Sequence, residues 1–200
     1  MTVWIYILPF AGYLLGSISS AILVARILGL QDPRDVGSRN PGATNILRYG
    51  GKTAAVVVLL GDALKGVVAA LVARLLTDDA WVIALTGGAA FVGHLYPVFF
   101  RFRGGKGVAT AFGVWLAIAP VVGVLMLVTW VVVAALFRYS SLAALLATAA
   151  GPLYLFWLVP VPAFLWVMVV MVLLLFYRHR SNIANLLAGR ESKIGKKSAS

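Results

Sequence analysis

The sequence contains no cysteine, which excludes disulfide bonds, thiol nucleophiles and thiolate metal sites. Acidic residues are also scarce: the sequence has six Asp and Glu residues and 17 Lys and Arg residues. These few carboxylates are not clustered as a Mg²⁺ site requires, so we expect no metal and no cofactor. Long polar segments are absent too, and we therefore predict one domain over residues 1–200 with no soluble module.

Apolar residues, in contrast, are abundant. The sequence is 62% hydrophobic with a mean hydropathy of +0.99, and apolar runs recur along nearly its whole length. A soluble core does not need that much apolar surface, so the composition predicts an all-α, polytopic membrane protein. Helices are favoured over a barrel because the runs are continuous and do not alternate.

We predict seven membrane spans, two of which are short passes within 107–137. Pro120 lies near the middle of that run and would break a helix there. With a turn at Pro120, fifteen of the 17 Lys and Arg lie on one side, and the positive-inside rule then places the N-terminus outside and the C-terminus in the cytoplasm. A basic, flexible tail is expected from about residue 192. The other predicted spans are 3–28, 53–76, 80–100, 140–158 and 161–177.

A glycine-rich basic loop precedes the short passes. The stretch Arg101–Thr110 holds three cations and three glycines. Glycines let backbone N–H groups approach an anion, and a helix that begins after them adds its positive end, so the loop indicates a phosphate site. It is not a Walker loop, because Gly107 follows Lys106 where Ser or Thr would be required. The alternative is a flexible turn that carries topology charges.

Two further polar segments lie on the same predicted face. The first, 35–48, is rich in hydrogen-bonding side chains. It favours a site, although a connector in which Ser38 or Asn40 caps a helix and Arg48 snorkels is the alternative. The second segment, 178–191, places His179 and Asn182 one turn apart on a shared face; a basic tail on anionic lipid is its alternative.

Ionisable residues also occur inside the predicted spans. Asp62 and Lys65 are three residues apart, so they share a helix face and can neutralise each other. An internal ion pair and a direct role in the site are both open. His94 precedes Pro97, and we expect its ring to bond to a carbonyl that the proline frees.

Together, five segments resemble the bacterial acyl-phosphate:glycerol-3-phosphate acyltransferases, small polytopic enzymes of the inner membrane. The resemblance in order and spacing covers most of the chain. It departs from the family pattern at Arg39, Asn185 and Arg190, where a small residue, Arg and Thr are usual. The segments are Gly37–Arg48, Gly61–Gly66, Gly93–Pro97, Gly104–Thr110 and Arg178–Ile183.

The resemblance implies transfer of a fatty acyl group from acyl phosphate to the 1-hydroxyl of sn-glycerol 3-phosphate, the first step of phospholipid synthesis. It implies a site that faces the cytoplasm, two small-molecule substrates, the bilayer as the only other partner, no nucleic acid and a monomer. The catalytic residues it implies are Ser38, Arg48, Lys106, His179 and Asn182. The substrate-binding residues it implies are Asn40, Gly42, Asn45, Gly104, Gly105, Gly107, Thr110 and Glu191.

The chemistry expected at this site is direct attack. Phosphate is a good leaving group, and the chain has no Gly-x-Ser-x-Gly elbow and no His-x-x-x-x-Asp box, so we predict no acyl-enzyme. Positioning and neutralisation of charge would carry most of the rate. The proton acceptor stays open between a substrate phosphate oxygen and His179. An alternative function is transport of an organophosphate anion, although no paired broken helices are evident.

Overall fold

The computed structural model describes residues 3–195, and within this range the regular secondary structure is entirely helical. A short 3₁₀ turn, Val98–Phe100, follows the fifth of ten α-helices. The α-helices are α1 Trp4–Gly16, α2 Ser20–Ile27, α3 Ala43–Tyr49, α4 Gly51–Leu76, α5 Ala80–Leu95, α6 Val108–Ile118, α7 Pro120–Phe137, α8 Ser140–Leu158, α9 Pro162–Arg178 and α10 Arg180–Leu187.

Five helical segments are long and apolar enough to cross a membrane, and a sixth results if α9 and α10, bent by 61°, count as one span. The protein is therefore a multi-pass, all-helical membrane protein. Helix α6 has 11 residues and rises only about 16 Å, too short to span a bilayer alone. The five segments are Trp4–Ile27, Gly51–Leu76, Ala80–Phe100, Pro120–Phe137 and Ser140–Leu158.

The predicted break at Pro120 is confirmed. Helix α6 ends at Ile118 and α7 begins at Pro120, where the missing N–H of proline costs no helical hydrogen bond. The two helices are in close contact next to this turn. A Cβ added at Gly123 of α7 would lie only 2.5 Å from the backbone nitrogen of Leu116 in α6. The run 107–137 is thus a helical hairpin.

The first predicted span, 3–28, is confirmed as the candidate span Trp4–Ile27, but its helix is interrupted. It breaks after Gly16, where the Ser17 hydroxyl donates to the Tyr13 carbonyl 2.8 Å away. The chain resumes as α2, and the Ser19 hydroxyl accepts from the Ile22 N–H at the start of that helix. Serine side chains that bond the local backbone compete with a continuous helix, which explains the break.

Glycines set the closest helix contacts. A Cβ at Gly16 of α1 would collide with the Ala90 carbonyl of α5, and Gly93 of α5 meets the Tyr13 carbonyl in the same way. Gly66 and Gly113 bring α4 and α6 together by the same means. In lipid, where apolar surface alone does not drive association, such close backbone contact is a main source of helix packing.

Helix α6 lies alongside the second half of α4. Near its start the Thr110 hydroxyl donates to the Asp62 carbonyl at 2.8 Å, and at its end the Ala117 carbonyl accepts from Arg74 at 2.6 Å. The two helices are therefore parallel, and α6 extends only along the second half of α4. This register recesses Lys106 into the bundle.

Candidate functional site

The glycine-rich loop Gly104–Gly107 packs directly on α5. The Gly105 N–H donates to the His94 carbonyl at 3.1 Å, and a Cβ at Gly104 would collide with that carbonyl. Gly107 has φ +83°, and a Cβ there would run into the rings and methyls of α5. Close packing alone thus requires glycine at these three positions, a reason that the sequence did not reveal.

Arg178, at the end of α9, clamps this loop from the other side. Its Nε donates to the Gly105 carbonyl at 3.1 Å and its Nη2 to the Gly104 carbonyl at 2.6 Å. The guanidinium carbon lies 5.4 Å from the centre of the Tyr96 ring, a cation–π arrangement. The loop is therefore fixed before any ligand binds.

Lys106 begins a chain of polar contacts that joins four separate segments. Its ammonium group donates to Asn182 Oδ1, and Asn182 Nδ2 donates to Glu191 Oε1 at 2.8 Å. The Ser141 hydroxyl donates to the same carboxylate oxygen at 2.7 Å. We call Lys106, Asn182, Glu191 and Ser141, with the neighbouring Arg48, the lysine cluster.

Burial lowers the pKa of Lys106 to about 8. The negative charge of Glu191 opposes this shift, whereas the positive charges of Arg178 and Arg48 add to it. Lys106 is thus charged at neutral pH and lies near two further cations. An incoming phosphate would supply the negative charge that this arrangement lacks.

Arg48, in the last turn of α3, contacts the chain just after α10. Its Nη2 donates to the Ser192 hydroxyl at 2.6 Å, a neutral partner, and within residues 3–195 the guanidinium forms no ion pair. Two residues further along the chain, the Ile194 N–H donates to the Arg138 carbonyl at 2.6 Å. Ser192 and Ile194 thus contact α3 and the chain before α8, and residues 196–200 of the predicted flexible tail lie outside the described residues.

The loop before α3 is shaped by Asn45, which is buried. Its Oδ1 accepts from the Ser38 N–H at 2.9 Å, and its Nδ2 donates to the carbonyls of Pro33 and Val36. Asn45 therefore holds the loop rather than facing a ligand. Ser38 is exposed, and no contact among residues 3–195 ties its hydroxyl to the lysine cluster.

Asn40 and Gly42 form the turn that starts α3. The Asn40 carbonyl accepts from the Gly42 N–H at 2.9 Å, and Gly42 is the residue before the first turn of the helix. The adjoining Pro41 carbonyl lies 2.9 Å from where a Cβ of Gly105 would stand. The first polar segment and the glycine-rich loop are thus neighbours, although more than 50 residues separate them in sequence.

Two predicted site residues have their polar atoms engaged inside the protein. Thr110 is fully buried, with its hydroxyl on the Asp62 carbonyl. His179, just past α9, is buried and its Nδ1–H donates to the Leu175 carbonyl at 2.8 Å. Burial, reinforced by the charge of Lys106, lowers the pKa of His179 to about 4, so the ring is neutral at physiological pH.

A second polar group, which we call the buried triad, consists of Asp62, Lys65 and His94. Lys65 Nζ lies 2.9 Å from Asp62 Oδ1 and donates to the Ile18 carbonyl at 2.8 Å, so the predicted Asp–Lys pair is confirmed. The prediction for His94 was wrong, because its Nδ1 faces Asp62 Oδ1 at 3.5 Å. His94 Nε2 lies against Gly105, directly beneath the loop.

Sequence reasoning missed Ser141 and Ser192. Ser141 is the second residue of α8, and only its position just after Arg138 could have indicated a place on the basic face. Ser192 was assigned to the tail. Within residues 3–195 no three His, Asp or Glu residues are grouped to hold a metal ion.

The fold and site together define a class: a multi-pass membrane protein with a recessed, cation-rich polar site. The sequence profile of the family described as glycerol-3-phosphate acyltransferase matches residues 6–189, and the chain therefore belongs to this family. A relative from Methylococcus capsulatus that carries the same name is 54% identical over 194 residues, 97% of each chain.

The fold is also similar to two crystal structures of PlsY (YgiH), described as an integral membrane glycerol 3-phosphate acyltransferase. The glycerol 3-phosphate form has a TM-score of 0.92 and 44% identity, over 96% of each chain. The lysophosphatidic acid form has a TM-score of 0.90 and 42% identity, over 96% of this chain and 95% of the other.

Proposed function

We propose that this protein transfers a fatty acyl group from acyl phosphate to the 1-hydroxyl of sn-glycerol 3-phosphate, giving lysophosphatidic acid and phosphate. The names of the relatives support the acceptor and the product. The observation that carries the proposal is the lysine cluster, in which Lys106 and Arg48 approach each other while bonding to neutral partners. Both substrates carry phosphate, so a site with a surplus of positive charge suits them.

The residues divide into two anion sites. Lys106 and the free N–H groups of the first turn of α6 would hold one phosphate. Arg48 and Ser38 would hold the other, with the phosphate replacing Ser192 on the guanidinium. Asn182 orients the ammonium group between the two sites.

Attack would be direct. The 1-hydroxyl oxygen forms a bond to the acyl carbon while the bond to the phosphate oxygen breaks, and phosphate leaves with the electron pair. A neutral imidazole with a pKa of about 4 is a weak base at neutral pH, so we assign the proton to a substrate phosphate oxygen. His179 then has a structural part, since its Nδ1–H is bonded to the Leu175 carbonyl at the end of α9.

The topology we propose has seven crossings of the bacterial inner membrane. In this topology α6, which lies beside the second half of α4, and α7 account for two of the seven crossings. The N-terminus then lies outside, the C-terminus and the site face the cytoplasm, and one chain supplies the whole site as a monomer.

The test uses purified protein in detergent with acyl phosphate and glycerol 3-phosphate. We expect phosphate and lysophosphatidic acid in equal amounts, no phosphate release without the acceptor, and no acylated protein by mass spectrometry. A transporter would release no phosphate under these conditions. Acyl transfer without loss of phosphate, or an acyl group retained on the protein, would refute the mechanism.

A further inference from the structure

A cationic cavity lies outside the lysine cluster and shares no lining residue with it. Its volume is about 310 Å³. Four of its six lining residues are arginines, and the acyl transfer proposed above uses none of them. The lining residues are Arg26, Arg34, Phe99, Phe100, Arg101 and Arg103.

The positive charge of this arginine cavity is only partly compensated. Asp32 binds Arg34 through two hydrogen bonds of 2.9 and 2.6 Å. The pair of Arg103 with Asp35 is longer, at 3.9 Å, and largely exposed, so it is weak. Arg26 and Arg101 form no ion pair within the part of the chain that the structure describes.

The walls of the cavity are held in place. Arg34 Nη1 donates to the Phe100 carbonyl at 3.3 Å, and the Arg26 guanidinium lies 5.8 Å from the centre of the Phe100 ring. Arg101 and Phe102 have φ values of 55° and 57°, which side-chain-bearing residues seldom adopt. The Phe102 N–H, bonded to the Pro97 carbonyl at 2.9 Å, helps to fix this conformation and with it the position of Arg101.

Exposed apolar side chains occur in the lining of the cavity and next to its lining residues in sequence. Phe99 is 60% exposed, Phe102 57% and Ile27 80%, and they lie at the ends of the first and third candidate spans. Side chains of this kind at the end of a span face lipid, so the cavity opens at the depth of the lipid headgroups.

We propose that the arginine cavity binds the phosphate group of an anionic bilayer lipid. The planar guanidinium groups can each give two parallel hydrogen bonds to phosphate oxygens, and the acyl chains would lie over Phe99 and Phe102. A zwitterionic lipid is disfavoured, because its positive headgroup would face Arg26 and Arg101.

The test titrates purified protein in an uncharged detergent with short-chain phosphatidylglycerol and short-chain phosphatidylcholine, and measures binding by calorimetry. We expect saturable binding of one phosphatidylglycerol. In Arg26→Gln/Arg101→Gln it should weaken by about tenfold or more, because two charge-assisted contacts are lost. Lys52→Gln removes a positive charge outside the cavity and should change the affinity by less than about twofold.

Any one of the following results would overturn the proposal. Equal affinity for phosphatidylcholine would exclude headgroup recognition. An equal loss in Lys52→Gln would show that only net charge matters. Displacement of the lipid by inorganic phosphate at the same concentration would make the cavity a site for free anions. If the double variant does not fold, as judged by circular dichroism and gel filtration, Arg101→Gln alone should weaken binding by about threefold, and an unchanged affinity would refute the proposal.

Discussion

The buried triad and the lysine cluster each contain a lysine, but the positive charge of that lysine is compensated to a different extent. Lys65 has a carboxylate at 2.9 Å and a carbonyl at 2.8 Å, so its charge is compensated inside the protein. Lys106 bonds to the neutral amide of Asn182 and lies near two arginines. The comparison teaches that a compensated cation supports the fold, whereas an under-compensated one is available to an anion.

The largest effect is expected for Lys106→Ala. Loss of this charge should reduce kcat/KM for acyl transfer by about 10³, comparable with removal of a strong transition-state donor. The measurement is phosphate release with both substrates, with gel filtration to show that the protein is intact. Near-normal activity would remove Lys106 from the site.

Lys65→Met should act on stability. It leaves Asp62 buried without its cation, and we expect the free energy of unfolding to fall by about 3 kcal/mol. Asp62→Leu/Lys65→Met removes both charges and should recover most of this loss. Thermal unfolding in detergent compares the variants. A double variant no more stable than the single one would contradict the view that the triad is mainly a compensated pair.

The pH dependence of kcat/KM tests the charge of Lys106. Lys106 has a pKa lowered to about 8, so it is charged below that pH and becomes neutral as the pH rises through it. We expect kcat/KM to fall by up to about tenfold per pH unit above this value, since it reports the free enzyme. Lys106→Arg keeps its charge, and its profile between about pH 7 and 9.5 should lack this fall. A fall that persists in Lys106→Arg would assign it to another group.

The smallest effect is expected for Glu191→Gln. The negative charge of Glu191 raises the pKa of Lys106, so its removal should move the fall in kcat/KM to lower pH. At pH 8 we expect a loss of about three- to tenfold. Ser141→Ala is the matched control, because it removes a hydrogen bond to the same carboxylate without changing charge. An equal shift of the pH profile in both variants would refute the electrostatic explanation.

Local rules predicted the parts of the fold that depend on neighbours in sequence. The break at Pro120 follows from the missing N–H of proline, and the Asp62–Lys65 pair follows from the i,i+3 spacing. The break after Gly16 was missed, because apolar residues on both sides concealed the effect of the serines.

Contacts between helices could not be predicted from the sequence. His94 was assigned by its neighbour Pro97, but the packing of α5 on α4 turns the ring towards Asp62. The glycines of the loop were attributed to anion binding, and their contact with α5 could not be inferred. Thr110 was assigned to the site by family resemblance, and the register of α6 against α4, which brings its hydroxyl to the Asp62 carbonyl, could not be inferred.

The amide of Asn182 has a consequence for what position 182 can hold. Its oxygen faces the ammonium group of Lys106 and its nitrogen faces the carboxylate of Glu191, so one planar group reconciles two opposite charges. Aspartate has the same shape but cannot donate, and it would set two carboxylates against each other. Polarity along the side chain, and not its size, thus determines which residue can join these charges.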